Sequence, residues 1–170
     1  MPDSITTPGP GQFYLSVMVE YRKTPANRWQ EGRWQVTAAV AGDLPGSDDA
    51  GGRQLHAATR GQQYLWTGVP VKLFRDDAEN YYYNLVSENP RIFIVCSQSA
   101  GGPLQPVLAT LSYGEAASHM ETEDARVESV AMPPELYRWA ERFVLEHFVP
   151  TKRKKRKRDD WKEAGHGPHR

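Results

Sequence analysis

The sequence predicts an α+β fold: a single domain with a bent, largely antiparallel sheet and a C-terminal amphipathic helix, followed by a basic tail. Seven β-favouring segments and three helical ones follow the order β-β-β-β-α-β-β-α-β-α, without the regular alternation typical of a parallel sheet. The length of 170 residues suits one domain, and 39% hydrophobic residues suffice for a packed core. We therefore expect a flexible leader over 1–11, an α+β domain over 12–150 and a disordered basic tail over 151–170.

Four strands are predicted in the first half of the chain, where apolar and β-branched residues alternate with turn signals. They span 13–21, 34–41, 54–59 and 63–74. Pro70 lies within the last of them and has no N–H to donate to a sheet. It therefore marks a sheet edge, a bulge or the end of a strand.

The next elements are a helix, a hairpin, a short helix and a strand. The helix is expected over 76–87, because Asp76 and Asp77 suit a helix N-terminus and Asn89-Pro90 ends it. Strands over 91–97 and 106–112 flank a glycine-containing loop and predict a hairpin. A short helix over 114–120 and a strand over 126–131 complete this part of the chain.

The clearest pattern follows Met132-Pro133-Pro134, where apolar residues recur at helical spacing while charged residues occupy the other face. The apolar positions are Leu136, Trp139, Ala140, Phe143, Val144 and Phe148. This periodicity predicts an amphipathic helix with one buried stripe, which Pro150 ends.

Charge divides the chain into an acidic body and a cationic tail. Residues 1–150 carry 12 Lys and Arg against 18 Asp and Glu, whereas residues 151–170 carry nine against three. Most of the tail charge is one uninterrupted segment, called here the cation run: Lys152, Arg153, Lys154, Lys155, Arg156, Lys157 and Arg158. Such a run binds nucleic acid, an acidic membrane surface, an acidic protein partner or its own body. Because the acidic body repels a polyanion, a tether to an acidic protein partner or a solvated end is preferred, and nucleic acid is the alternative.

Three consecutive tyrosines in the predicted helix over 76–87 indicate a contact surface. Successive helical residues are about 100 degrees apart, so Tyr81, Tyr82 and Tyr83 cannot all face inward, and at least one ring is expected to be exposed. Tyrosine is enriched at protein interfaces, although core and rim packing is the more ordinary explanation of the rings. Tyr81 and Tyr82 therefore join the cation run as candidate partner-binding residues.

The sequence does not predict an enzyme, and it predicts no cofactor and no metal site. It lacks a Walker loop, a dinucleotide-binding loop and a nucleophile elbow. An enzyme that uses the carboxylates of the acidic body stays open as a further alternative. Cys96 lies in an apolar strand and is expected to be buried and inert. The chain has neither an apolar run long enough to span a membrane nor a signal peptide, so we expect a cytoplasmic protein.

Several segments resemble a bacterial family of unknown function whose genes commonly stand beside those for molybdenum-dependent formate dehydrogenases. They are residues 82–95 and 127–136, the helix around Trp139, the cation run, the first strand and the pair Trp29 and Trp34. The resemblance covers about 13–158, and it includes no established active site. It implies a non-enzymatic accessory or interaction protein in the maturation, assembly or complex of that dehydrogenase, with its subunits or maturation factors as partners.

Overall fold

The computed structural model describes residues 12–23, 32–42, 53–58 and 61–150, with the backbone alone at 53–58 and 61. The predicted leader, the predicted tail and Trp29 lie outside this part. The elements are β1 (Gln12–Arg22), β2 (Arg33–Ala41), β3 (Arg53–Ala58), β4 (Gly61–Lys72), a 3₁₀ turn (Arg75–Asp77), α1 (Ala78–Leu85), β5 (Arg91–Gln98), β6 (Leu104–Thr110), α2 (Tyr113–His119), β7 (Ala125–Ala131) and α3 (Pro134–His147).

The strands form one sheet in the order β2-β1-β4-β6-β5-β7, and β3 pairs with the start of β4. The pairs among the described strands are antiparallel except β4 with β6, which meet in parallel at Val71 and Ala109. The two end strands, β2 and β7, approach each other, so the sheet forms a nearly closed barrel. The predicted α+β class with a bent, largely antiparallel sheet is confirmed, and the curvature goes beyond it.

Register shifts explain part of this curvature. The pairing of β1 shifts between Leu15 and Val17 and again between Met18 and Val19. Such irregularities bend a strand and increase its twist. Pro70 lies within β4 opposite Tyr14 of β1, close to the single position at which β6 joins the other side of β4.

One hydrophobic core joins the sheet to α1 and α3. The predicted stripe of α3 is confirmed as buried at Leu136, Ala140 and Val144, whereas Trp139, Phe143 and Phe148 pack against the core but stay partly exposed. The ring of Phe13 in β1 lies 5.3 Å from that of Trp139 in α3. α3 therefore packs its apolar side onto the sheet, and its polar side faces the solvent.

α2 contacts the sheet through β5, β6 and β7. Ser112 caps it by accepting a hydrogen bond from the Glu115 N–H at 3.3 Å, and the Glu115 carboxylate accepts one from the Thr110 hydroxyl at 2.5 Å. This Ser-x-x-Glu spacing is the signature of a helix start. No helix in the part of the chain that the structure describes is both long and apolar enough to cross a membrane.

Candidate protein-docking face on α1 and α3

Asn84 fixes the position of α1 on the sheet. Its Nδ2 donates to the carbonyl oxygens of Arg91 and Leu111, both at 2.8 Å, and its Oδ1 accepts from the Arg91 N–H at 2.9 Å. One side chain thus joins α1 to the start of β5 and to the residue that follows β6. Three of its hydrogen-bonding positions are satisfied by backbone groups, so the helix is held in one orientation.

α1 and α3 lie side by side and run in opposite directions. Near the start of α3, the Tyr137 hydroxyl donates to the Leu85 carbonyl oxygen at 3.3 Å. Near its end, the ring of Phe148 lies 5.1 Å from that of Tyr82. The beginning of α1 is therefore close to the end of α3, where the described chain leaves the domain.

The three tyrosines of α1 have three different environments. Tyr81 is fully buried against Phe143, and its hydroxyl accepts a hydrogen bond from the Phe74 N–H at 3.1 Å. Burial raises the pKa of Tyr81 to about 12. Tyr82 is half-buried, and Tyr83 is 55% exposed. The expectation of at least one exposed ring is confirmed by Tyr83.

A strip of large apolar side chains, some exposed and some partly buried, lies on α1 and at the end of α3. We call it the docking face: Tyr82, Tyr83, Val86, Leu145, Phe148 and Val149. The Tyr82 ring lies between those of Tyr83, at 5.5 Å, and Phe148, at 5.1 Å. Val86 is 57% exposed, Leu145 76% and Val149 79%. Single exposed apolar residues are ordinary on a protein surface, but exposed residues that accompany the connected rings of Tyr83, Tyr82 and Phe148 indicate an interaction site.

Carboxylates border the docking face at the start of α1. Asp76 and Glu79 are exposed, and Asp77 is half-buried. The Tyr83 hydroxyl donates to Glu79 Oε1 at 3.4 Å, which connects the aromatic strip to this acidic end. Arg75 lies in the same turn, so these four residues carry a net charge of −2.

The structure changes the candidate residues. Tyr81 is not part of the candidate surface, because its ring has no exposed area. The exposed neighbour of Tyr82 is Tyr83. The cation run lies outside the described residues, but it begins two positions after Pro150, at the end of the docking face. Leu145 was not among the predicted candidates. It lies about 180 degrees from Leu136 on the helix, as an apolar residue on the charged side.

A groove lies at the other end of α3. It has a volume of about 420 Å³ and opens between the turn after α1, the end of β7 and the start of α3. Arg91 and Arg138 line it together with Glu88, and the Arg91 guanidinium donates to the Ser129 carbonyl oxygen at 2.6 Å. The groove has mixed charge and is separate from the docking face.

Candidate chemical groups in the described residues are dispersed or buried. Cys96 is fully buried, and burial raises the pKa of its thiol to about 12, as expected for an unreactive cysteine. Among the residues that the structure describes, no three His, Cys, Asp or Glu side chains come together to hold a metal ion.

Comparison with protein families matches residues 15–158 to the family described as "Protein of unknown function (DUF3305)". The chain belongs to the DUF3305 family. The DUF3305 match takes in the docking face and the whole cation run, and it ends before Asp159. Comparisons with curated proteins and with solved structures found no match. Membership of a family of unknown function is thus confirmed, and the link to formate dehydrogenase stays a prediction.

Proposed function

We propose that this chain is a non-enzymatic accessory protein that docks onto a molybdenum-dependent formate dehydrogenase, or onto a factor that matures or assembles it. The observation that supports docking is the exposed strip on α1 and α3. The choice of dehydrogenase rests on the resemblance of the sequence to a family encoded beside such enzymes.

The docking face has the chemistry of an interface centre. Burying a Leu or Val side chain completely stabilises a complex by about 1.5–3 kcal/mol. Aromatic anchors such as Tyr82 and Tyr83 are common among the residues that dominate binding. Because Tyr81, Leu85 and Asn84 hold α1 from beneath, these anchors are positioned before a partner arrives, which lowers the entropy cost of binding.

The face is too small to act alone. A stable interface covers roughly 20–30 residues on each side, and the strip has six. The adjoining cation run supplies further contacts, and seven cations accelerate the encounter with an acidic partner. The partner surface is therefore expected to combine an apolar patch with carboxylates.

Co-purification from the native host tests the proposal. A tag at the N-terminus leaves the tail free, and we expect the tagged chain to recover formate dehydrogenase subunits or their maturation factors. A chain that ends at Pro150 should recover less of them, since it lacks the cations. Recovery of neither class of protein contradicts the proposal, and recovery of nucleic acid that is lost on truncation supports the alternative.

Deletion of the gene separates an accessory role from catalysis. We expect formate dehydrogenase activity to fall, and separate measurements of molybdenum cofactor loading and of subunit assembly show which step depends on the chain. Reintroduction of the wild-type gene should restore the activity. Unchanged activity, loading and assembly in the deletion strain would count against the proposal.

A further inference from the structure

We infer that, in the free protein, the cation run folds back onto the docking face of its own molecule and covers it. The inference extends the proposed function, because it assigns an intramolecular occupant to the same face. It concerns the chain without its partner, so it can hold or fail whichever protein the face binds.

The geometry of the chain exit allows this contact. The described chain ends at Pro150, directly after two members of the docking face, Phe148 and Val149. The eight residues that follow Pro150, up to Arg158, span at most about 28 Å when extended. α1 has eight residues and is about 12 Å long. The cation run can therefore cross the whole exposed side of α1 and reach the turn before it.

The chemistry of the face suits a cationic segment. Lys and Arg attract the faces of aromatic rings, and Tyr82, Tyr83 and Phe148 provide a connected series of rings. Asp76, Asp77 and Glu79 stand at the end of that series. The methylene stems of Lys and Arg can also cover apolar surface while their charged ends stay in water. Aromatic rings bordered by carboxylates are thus complementary to the charged ends and to the apolar stems of the cation run.

The alternatives are less favourable on the same grounds. A segment tethered close to its site acts at an effective concentration in the millimolar range, which favours the chain's own tail over a second copy. The groove at the other end of α3 contains Arg91 and Arg138, which oppose the approach of more cations. Residues 121–124 also carry three acids, but they lie in the turn between α2 and β7, which is outside the docking face.

The contact has a consequence for docking. The proposed partner-binding surface has two parts, the cation run and the docking face. While the cation run occupies the docking face, these two parts bind each other and not the partner. An acidic partner would compete for the cations and release the apolar strip, so binding would be selective for partners that carry carboxylates. A chain that ends at Pro150 would expose its docking face permanently, but it would still bind the partner less well because it lacks the cations that attract carboxylates.

A spin label on the tail tests the inference directly. We would label Lys155→Cys, since the buried Cys96 is protected in the folded chain, and record paramagnetic broadening of backbone amides by NMR. The amides of Glu79 and Tyr83 should lose more intensity than those of Glu121 and Glu123. The difference should shrink in 1 M salt, where charges are screened beyond about 3 Å.

Matched variants separate this contact from general attraction to an acidic body. The triple variant Asp76→Asn, Asp77→Asn and Glu79→Gln should abolish the extra broadening. The control Glu121→Gln, Glu123→Gln and Asp124→Asn removes as many charges elsewhere and should leave it unchanged. Equal broadening at both sites, or equal effects of both variants, would overturn the inference.

Mixing experiments decide whether the contact lies within one chain. Spin-labelled protein without ¹⁵N is mixed with ¹⁵N-labelled protein that carries no spin label. Broadening of the Glu79 amide in this mixture would show contact with a second copy and overturn the inference. An absence of broadening in this mixture, together with broadening when one chain carries both the spin label and ¹⁵N, supports the inference. Recovery of formate dehydrogenase tests the proposed function and is independent of these signals.

Discussion

Replacement of Asn84 by Ala is expected to destabilise the protein much more than the same replacement at Asn80. Both residues belong to α1, so the gain in helix propensity from Ala cancels in the comparison. Asn84 makes three hydrogen bonds to backbone groups of Arg91 and Leu111, whereas exposed Asn80 makes one to the Asp77 side chain. The difference between the variants therefore measures how firmly Asn84 holds the helix beneath the docking face.

The structure sets the size of the effect. Each hydrogen bond contributes about 1 kcal/mol net, and a buried group left without a partner costs about 1–3 kcal/mol. After the propensity gain, Asn84→Ala should lower the free energy of unfolding by about 2–3 kcal/mol, and Asn80→Ala should change it by less than about 1 kcal/mol. Asn84→Asp should cost at least as much as Asn84→Ala, because it sets a carboxylate against two carbonyl oxygens.

Urea unfolding followed by circular dichroism measures both variants against the wild type. If the free energy of unfolding depends on urea concentration with the same slope in all proteins, the shift of the midpoint reports stability alone. Values for Asn84→Ala and Asn80→Ala within about 0.5 kcal/mol of each other, which is the scatter of ordinary surface substitutions, would refute the reasoning.

Two further predictions concern stability. Gly32→Ala should be destabilising by about 1–3 kcal/mol, since an added Cβ would lie 2.6 Å from the Arg22 carbonyl oxygen and 2.7 Å from the Tyr21 ring. Gly102→Ala, where the nearest such atom is 3.6 Å away, should be nearly neutral in the same unfolding assay. Stability should also fall as the pH rises above about 9, because Cys96 and Tyr81 have pKa values raised to about 12 from 9.0 and 10.0 by burial. The stabilisation from these neutral groups is complete below the unfolded-state pKa values and is lost toward pH 12. Cys96→Ala should make the decline shallower, and an equal slope in both proteins would exclude the thiol as its source.

The elements of secondary structure were predictable because their signals are local. The 3.6-residue periodicity of α3 and the apolar run of β5 are properties of neighbouring residues, and both lie where expected. The predicted helix over 76–87 is instead a 3₁₀ turn followed by α1, a boundary that the acids at 76 and 77 do not mark.

The arrangement of these elements was not predictable from local pattern. The parallel contact of β4 with β6 and the approach of β2 to β7 join residues far apart in the chain. The phase of α1 was equally undetermined, because three adjacent tyrosines fit three rotations of a helix. The hydrogen bonds of Asn84 and the contact of Tyr81 with Phe143 select the rotation that exposes Tyr83.

The most direct test of the account compares two valines in binding to formate dehydrogenase co-purified from the native host. Val86 belongs to the docking face and is 57% exposed, and Val107 lies on β6 and is 53% exposed. Val86→Glu should weaken the binding of the purified chain at least tenfold, because it places a charge in an apolar contact, and Val107→Glu should bind like the wild type. Equal affinities of the two variants would contradict a docking role for α1 and α3.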